Sequence, residues 1–188
     1  VGYFGALSRG KANAAAPVAG TPAAGTPATG ITTVGKEGTI TVEVNPTPGT
    51  GLTFREGDMK QAFLGVKVKA TLSDLDVQRV KLMLGSTADT NTPSADFYNK
   101  VFPTVYLMDG GTVIASSALN SSTVTKEGSS YYITLTGFHF VVPKDATRVL
   151  TVAFDLAASV DSAFDGDNYT VTVPANGVRA VDGAGINQ

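Results

Sequence analysis

Val105-Tyr106-Leu107-Met108-Asp109-Gly110-Gly111-Thr112-Val113-Ile114-Ala115-Ser116-Ser117-Ala118 is the stretch on which the reading of the whole chain turns. Two runs rich in β-branched and aromatic residues flank Asp-Gly-Gly, and those turn residues supply the positive φ angles that a tight hairpin needs. The segment is therefore expected to be a β-hairpin. Working outward from it, the same pattern recurs on both sides.

Upstream, residues 39–44 alternate as Thr-Ile-Thr-Val-Glu-Val before Asn45-Pro46-Thr47-Pro48-Gly49 ends the run. Residues 59–72 form a longer run in which Val66 and Val68 share a face opposite Lys67 and Lys69, as in a strand wet on one side. Val80, Leu82 and Leu84 repeat this opposite Lys81 and Met83, with Ser73-Asp74-Leu75-Asp76 read as the connection. Residues 87–100 are polar and aperiodic and read as a loop, with one helical turn expected over 95–101.

Downstream, strands are expected at 131–135, 138–142, 149–156 and 169–173. Leu150, Val152, Phe154 and Leu156 should face a core, as should the row Phe138, Phe140 and Val142. About nine or ten short strands with no long amphipathic helix predict an all-β, immunoglobulin-like two-sheet sandwich. Residues 12–30 contain three prolines among Ala, Gly and Thr and almost nothing to bury, so they read as an extended linker. This divides the chain into residues 1–11, the linker 12–30, and a sandwich domain over 31–188.

Composition narrows the chemistry. The chain of 188 residues has 43% hydrophobic and 16% charged residues, no Cys, no Trp and one His, which allows one ordinary core but excludes disulfides and thiolate metal sites. Low charge with abundant Thr, Ser, Gly and Val favours an extracellular setting. A formal net charge of -2 with dispersed cations argues against nucleic-acid binding, and no apolar run approaches the roughly 20 residues of a membrane span. The start at Val1 is read as that of a fragment or processed product, any secretion signal lying upstream.

Candidate sites are few. Asp165, Asp167 and Asn168, around Gly166, are the best oxygen-rich cluster for a calcium ion, although the same residues also suit an ordinary turn. Asp74 and Asp76 form a second acidic pair, to which Asp155 and Asp161 could contribute. His139, between Phe138 and Phe140, should point away from both rings as a solvent-facing or hydrogen-bonded strand residue, and no nucleophile-elbow motif accompanies it. Glu56 and Glu127 are the carboxylates to consider for glycoside hydrolysis, which needs a defined separation across a cleft. Tyr98, Tyr106, Tyr131 and Tyr132 could stack on sugars, but adjacent Tyr131 and Tyr132 must point to opposite faces. Asn120-Ser121-Ser122 and Asn168-Tyr169-Thr170 match the glycosylation acceptor pattern.

Gly2-Tyr3-Phe4-Gly5-Ala6-Leu7-Ser8-Arg9 resembles the closing motif of the type 1 peptidoglycan-binding domain, with Ala6 where that motif usually has Pro. Val77-Gln78-Arg79-Val80-Lys81-Leu82, Val105-Tyr106-Leu107-Met108-Asp109-Gly110-Gly111 and Arg148-Val149-Leu150-Thr151-Val152-Ala153-Phe154-Asp155 are similar to β-sandwich domains of large bacterial surface proteins, including S-layer-like proteins. The resemblance implies a non-enzymatic, architectural role at the bacterial cell surface or wall. Its partners would be neighbouring copies or other surface proteins, with peptidoglycan reached through an upstream module. An adhesin or carbohydrate-binding domain, and a filament subunit assembled by strand addition, are the competing expectations, and an accessory or catalytic domain of a wall hydrolase is the third. Residues 31–44, or the linker arm at 12–30, are the segments expected to join copies by β-augmentation.

Overall fold

The structure, a computed structural model, describes residues 30–86, 100–128, 130–164 and 167–188. The expected peptidoglycan-binding remnant at 1–11, the linker apart from Gly30, and the loop at 87–99 lie outside the described residues. Among those described there are ten strands: β1 (Thr39–Asn45), β2 (Gln61–Thr71), β3 (Leu75–Ser86), β4 (Thr104–Asp109), β5 (Thr112–Ala118), β6 (Val124–Glu127), β7 (Ser130–Val142), β8 (Thr147–Asp155), β9 (Tyr169–Thr172) and β10 (Val178–Asp182). One sheet has the order β1-β2-β8-β4-β5, and the other β10-β3-β7-β6 with β9 also on β3; every pairing is antiparallel. The expected all-β two-sheet sandwich is the observed architecture.

The alternation of apolar residues sets which faces meet. Val66, Val68, Val80, Leu82, Leu84, Phe138, Phe140, Val142, Leu150, Val152, Phe154 and Leu156 are all buried, so the rows assigned to the core by period-two patterning do line it. Burial of such rows at roughly 25 cal/mol per Å² supplies the main stabilising term. At one end of the core Phe63, Phe102 and Phe154 meet with ring centroids 4.9 to 5.3 Å apart, Phe54 stacks on Phe63 at 4.3 Å, and Tyr169 meets Phe102 edge-on at 5.0 Å. Arg148 fastens the opposite end of β8: its guanidinium lies 4.1 Å over the Phe140 ring, donates to Val141 O at 2.6 Å and pairs with Asp109 at 2.6 Å.

The hairpin is β4–β5, with Asp109 opposite Thr112 and Gly110 at φ 57. Two expected breaks are absent. The segments 131–135 and 138–142 form one strand, β7, because Gly137 adopts φ 80 and a register shift opposite β3 lets the chain continue with Leu135 and Phe138 both inward. Likewise Leu75 and Asp76 belong to β3, since both are paired on each side, to β7 and to β10. β6 and β10 were not anticipated individually, being only 4 and 5 residues long.

The two lateral sides of the sandwich differ. On one, the chain crosses from β5 to β6 through residues 119–123, closing the flank. On the other, β1 lies beside β10, which follows β9 along β3, the two separated by a turn closed by Gly177 N donating to Pro174 O at 2.9 Å. Residues 186–188 fold back on β10, with Gln188 and Ala180 exchanging backbone hydrogen bonds. Among the described residues β1 has no strand on its outer side.

Candidate functional site

The open flank contains a groove of about 540 Å³ between β1 and the β9–β10 edge. Ile40, Val42, Leu64 and Val66 give it an apolar wall, Val173 to Arg179 the facing wall, and Val44, 68% exposed, its rim. Its backbone edge can be assigned from the ladder. Ala70 donates its N–H to Ala146 O at 3.0 Å, away from β1, so the Ile40–Ala70 pair is a non-hydrogen-bonded one. The alternation then turns the N–H and C=O groups of Ile40, Val42 and Val44 outward, free to pair with another chain.

Natural edges are usually blunted by bulges, brevity or a covering segment. β5 has a register shift in its ladder, β6 has 4 residues, and β10 is covered by residues 186–188. The β1–β2 register, by contrast, runs from Thr39–Thr71 to Asn45–Gly65 without a shift. β1 carries one charge, Glu43, which is engaged by Lys67 at 3.1 Å.

The groove also holds two arginines that sequence reading did not single out. Arg79 of β3 and Arg179 of β10 are directly opposite each other, and the Nε of each is buried with no hydrogen-bond partner. The available signal was a lone Arg in each of two apolar runs, Val77-Gln78-Arg79-Val80 and Val178-Arg179-Ala180-Val181. Their juxtaposition depends on the β3–β10 register, which is a long-range property.

The sequence-predicted residues are dispersed. Of the calcium candidates, Asp165 and the intervening Gly166 lie outside the described residues. Asn168 is exposed, and Asp167 accepts a hydrogen bond from the Tyr169 hydroxyl at 3.4 Å. Burial, then the charge and hydrogen bond of Asp167, push the Tyr169 hydroxyl well above its ordinary pKa. Among the described residues no group of three or more His, Asp or Glu side chains is arranged to hold a metal ion.

In the second acidic set Asp74 and Asp155 lie apart. Asp74 Oδ2 accepts from Thr32 N (2.6 Å), Thr32 Oγ1 (2.7 Å) and Thr33 N (3.1 Å), while Oδ1 accepts from Lys144 N (2.6 Å). Burial raises its pKa, but these hydrogen bonds to the carboxylate outweigh it and hold Asp74 at about 2. Asp155 is at the far end of β8, roughly 25 Å away by strand rise. It is buried although β8 alternation puts it on the face opposite Phe154, because it accepts from Lys60 N at 2.8 Å and from the Tyr106 hydroxyl at 2.6 Å. These two residues cover that face.

Asp76 is buried and accepts from Gln78 Nε2 at 2.8 Å, and its Oδ2 lies 2.7 Å from His139 Nδ1. His139 is 65% exposed, combining the two roles expected of it, solvent-facing and hydrogen-bonded. Glu127 pairs with Lys81 at 2.7 Å, and Glu56 accepts from Val160 N at 2.8 Å. Tyr131 is buried, whereas Tyr132 on the other face of β7 lies under the Lys81 ammonium at 4.2 Å. Tyr106 is on β4, in the other sheet, with its hydroxyl committed to Asp155; Tyr98 lies outside the described residues. The described tyrosines therefore do not assemble one stacking platform. No helix among the described residues is long and apolar enough to cross a membrane.

Comparison of the chain with protein-family models, with curated proteins and with solved structures returns no match.

Proposed function

We propose that this chain is a non-enzymatic structural module of a bacterial cell-surface, S-layer-like assembly, and that it joins neighbouring copies by strand addition at β1. The observation that carries this reading is the unbulged seven-residue edge, uncapped among the described residues, with three residues presenting backbone groups outward beside an apolar groove. An incoming strand would complete the ladder, and its apolar side chains would cover Val44 and the groove wall. The N-terminal resemblance to a peptidoglycan-binding motif supports a position at the cell wall. The dispersed tyrosines give less support to glycan recognition than the edge gives to assembly.

The test is the concentration dependence of mass by analytical ultracentrifugation, with electron microscopy of the concentrated protein. The wild type is expected to form higher species with rising concentration. Val44→Pro removes an outward N–H while leaving the β1–β2 ladder intact, and should lower self-association at least about tenfold with little change in melting temperature. A wild type that stays monomeric at high concentration would rule out strand addition between copies.

A further inference from the structure

We infer that the strand received by β1 is β1 of a second copy, paired antiparallel about a two-fold axis at Val42, an inference that rests on the proposed strand addition at that edge. The strand Thr39-Ile40-Thr41-Val42-Glu43-Val44-Asn45 has a symmetric pattern, with apolar residues at 40, 42 and 44 and polar residues at 39, 41, 43 and 45. The outward N–H and C=O groups belong to the same three apolar residues. With Val42 opposite its own counterpart, Ile40 faces Val44 of the second copy and Val44 faces its Ile40, so all three positions close as hydrogen-bonded pairs. Ile40, Val42 and Val44 also line the groove. The apolar rows of the two copies therefore adjoin, and each exposed Val44 gains an isoleucine neighbour.

Chemistry at both ends of β1 selects this register. Sliding one copy by two residues in one direction sets Ile40 against Pro46, which has no N–H to give, and opposes Glu43 to Glu43 of the second copy, a like-charge pair. Sliding it the other way sets Val44 against Gly38, whose N–H is already donated to Asp182 Oδ2 at 2.9 Å. Centred on Val42, Glu43 instead faces Thr41 and keeps its own Lys67. The strand is thus complementary to itself in one register, as an isologous contact requires. Such a pair occupies both β1 edges. Strand addition by itself then stops at two copies, and a larger lattice must use a second contact elsewhere on the molecule.

Cysteine cross-linking of the full chain reads the register, because the sequence has no Cys of its own. Thr41 and Glu43 are both exposed, on the face of β1 opposite Val42. In the inferred pair Thr41 of one copy and Glu43 of the other form a non-hydrogen-bonded pair with Cα atoms about 4.5 Å apart, within disulfide range. Two copies of the same position lie about 8 Å apart, beyond it. Under mild oxidation an equimolar mixture of Thr41→Cys and Glu43→Cys is therefore expected to give at least about fivefold more covalent dimer than either variant alone. Adding Val44→Pro to both should remove that excess. Dimer formed best by Thr41→Cys alone, or by Glu43→Cys alone, would assign another register and overturn the inference. A mixture with no excess, while the wild type still associates and Val44→Pro still reverses it, would overturn the inference and leave strand addition by a different segment standing. A wild type that stays monomeric would sink both the pairing and the reading it rests on.

Discussion

Replacing Asp74 with alanine is expected to lower the stability of the fold by about 3 kcal/mol at neutral pH, measured by urea denaturation. The reason is geometric. Asp74 accepts four hydrogen bonds from two other parts of the chain, Thr32 and Thr33 of the entering segment and Lys144 of the β7–β8 turn, and so ties both to the turn before β3. Alanine would leave three backbone N–H groups without acceptors at a largely buried site. The same carboxylate predicts a pH response of definite sign. Its folded-state pKa is about 2 against an ordinary 3.8, so the ionised form is favoured by folding. That contribution, on the order of 2 kcal/mol, is fully present above the unfolded value and is lost as pH falls through the folded one. The stability gap between the wild type and Asp74→Asn should therefore narrow between pH 4 and pH 2. A gap that stays constant across that interval would mean that the charge of Asp74 does not stabilise the fold.

Truncating Phe154 to alanine is expected to cost about 3–5 kcal/mol, the range for removing a large buried ring from a packed core. Phe154 is 1% exposed and touches both Phe63 and Phe102, so its loss would open a cavity where sheet and loop meet. Phe63 connects onward to Phe54, and Phe102 to Tyr169, so the end that these rings plug should loosen as a unit. Hydrogen exchange should show faster opening of β2 and β9 in Phe154→Ala, with β1 pairing near Thr39 less affected. Phe154→Leu, which retains most of the volume, should recover more than half of the loss.

The sandwich was legible in the sequence because alternation in a strand is local. Val66, Val68, Leu150 and Val152 declare their inward face through their immediate neighbours, and the Asp-Gly-Gly turn declares the hairpin. What was not legible depends on partners distant in sequence. Asp155 looked like a solvent-facing carboxylate, and only the approach of Lys60 and Tyr106 makes it a buried one. β7 looked like two strands because a bulge at Gly137 cannot be told from a turn without its partner β3. Of the site, residues 31–44 were one of two segments, with the linker arm, named for strand addition, and the edge strand occupies only Thr39–Asn45 of that region; the pairing of Arg79 with Arg179 was not legible, since they lie a hundred residues apart and meet only through register.

The entering segment does not simply run into β1. Thr32 and Thr33 are held by Asp74, Thr33 Oγ1 meets Ser73 Oγ at 2.7 Å, Gly35 N donates to Gly183 O at 2.7 Å, and Gly38 N donates to Asp182 Oδ2 at 2.9 Å. Traction transmitted through residue 30 would thus reach this latch before any sheet ladder, loading a set of short polar contacts that join the front of the domain to its final strand. Under pulling in an optical trap, the first rupture would release only a short length of slack, and the sandwich behind it would stay closed. If the module is held at a wall as proposed, such a sacrificial tie would yield before the fold itself bears the strain.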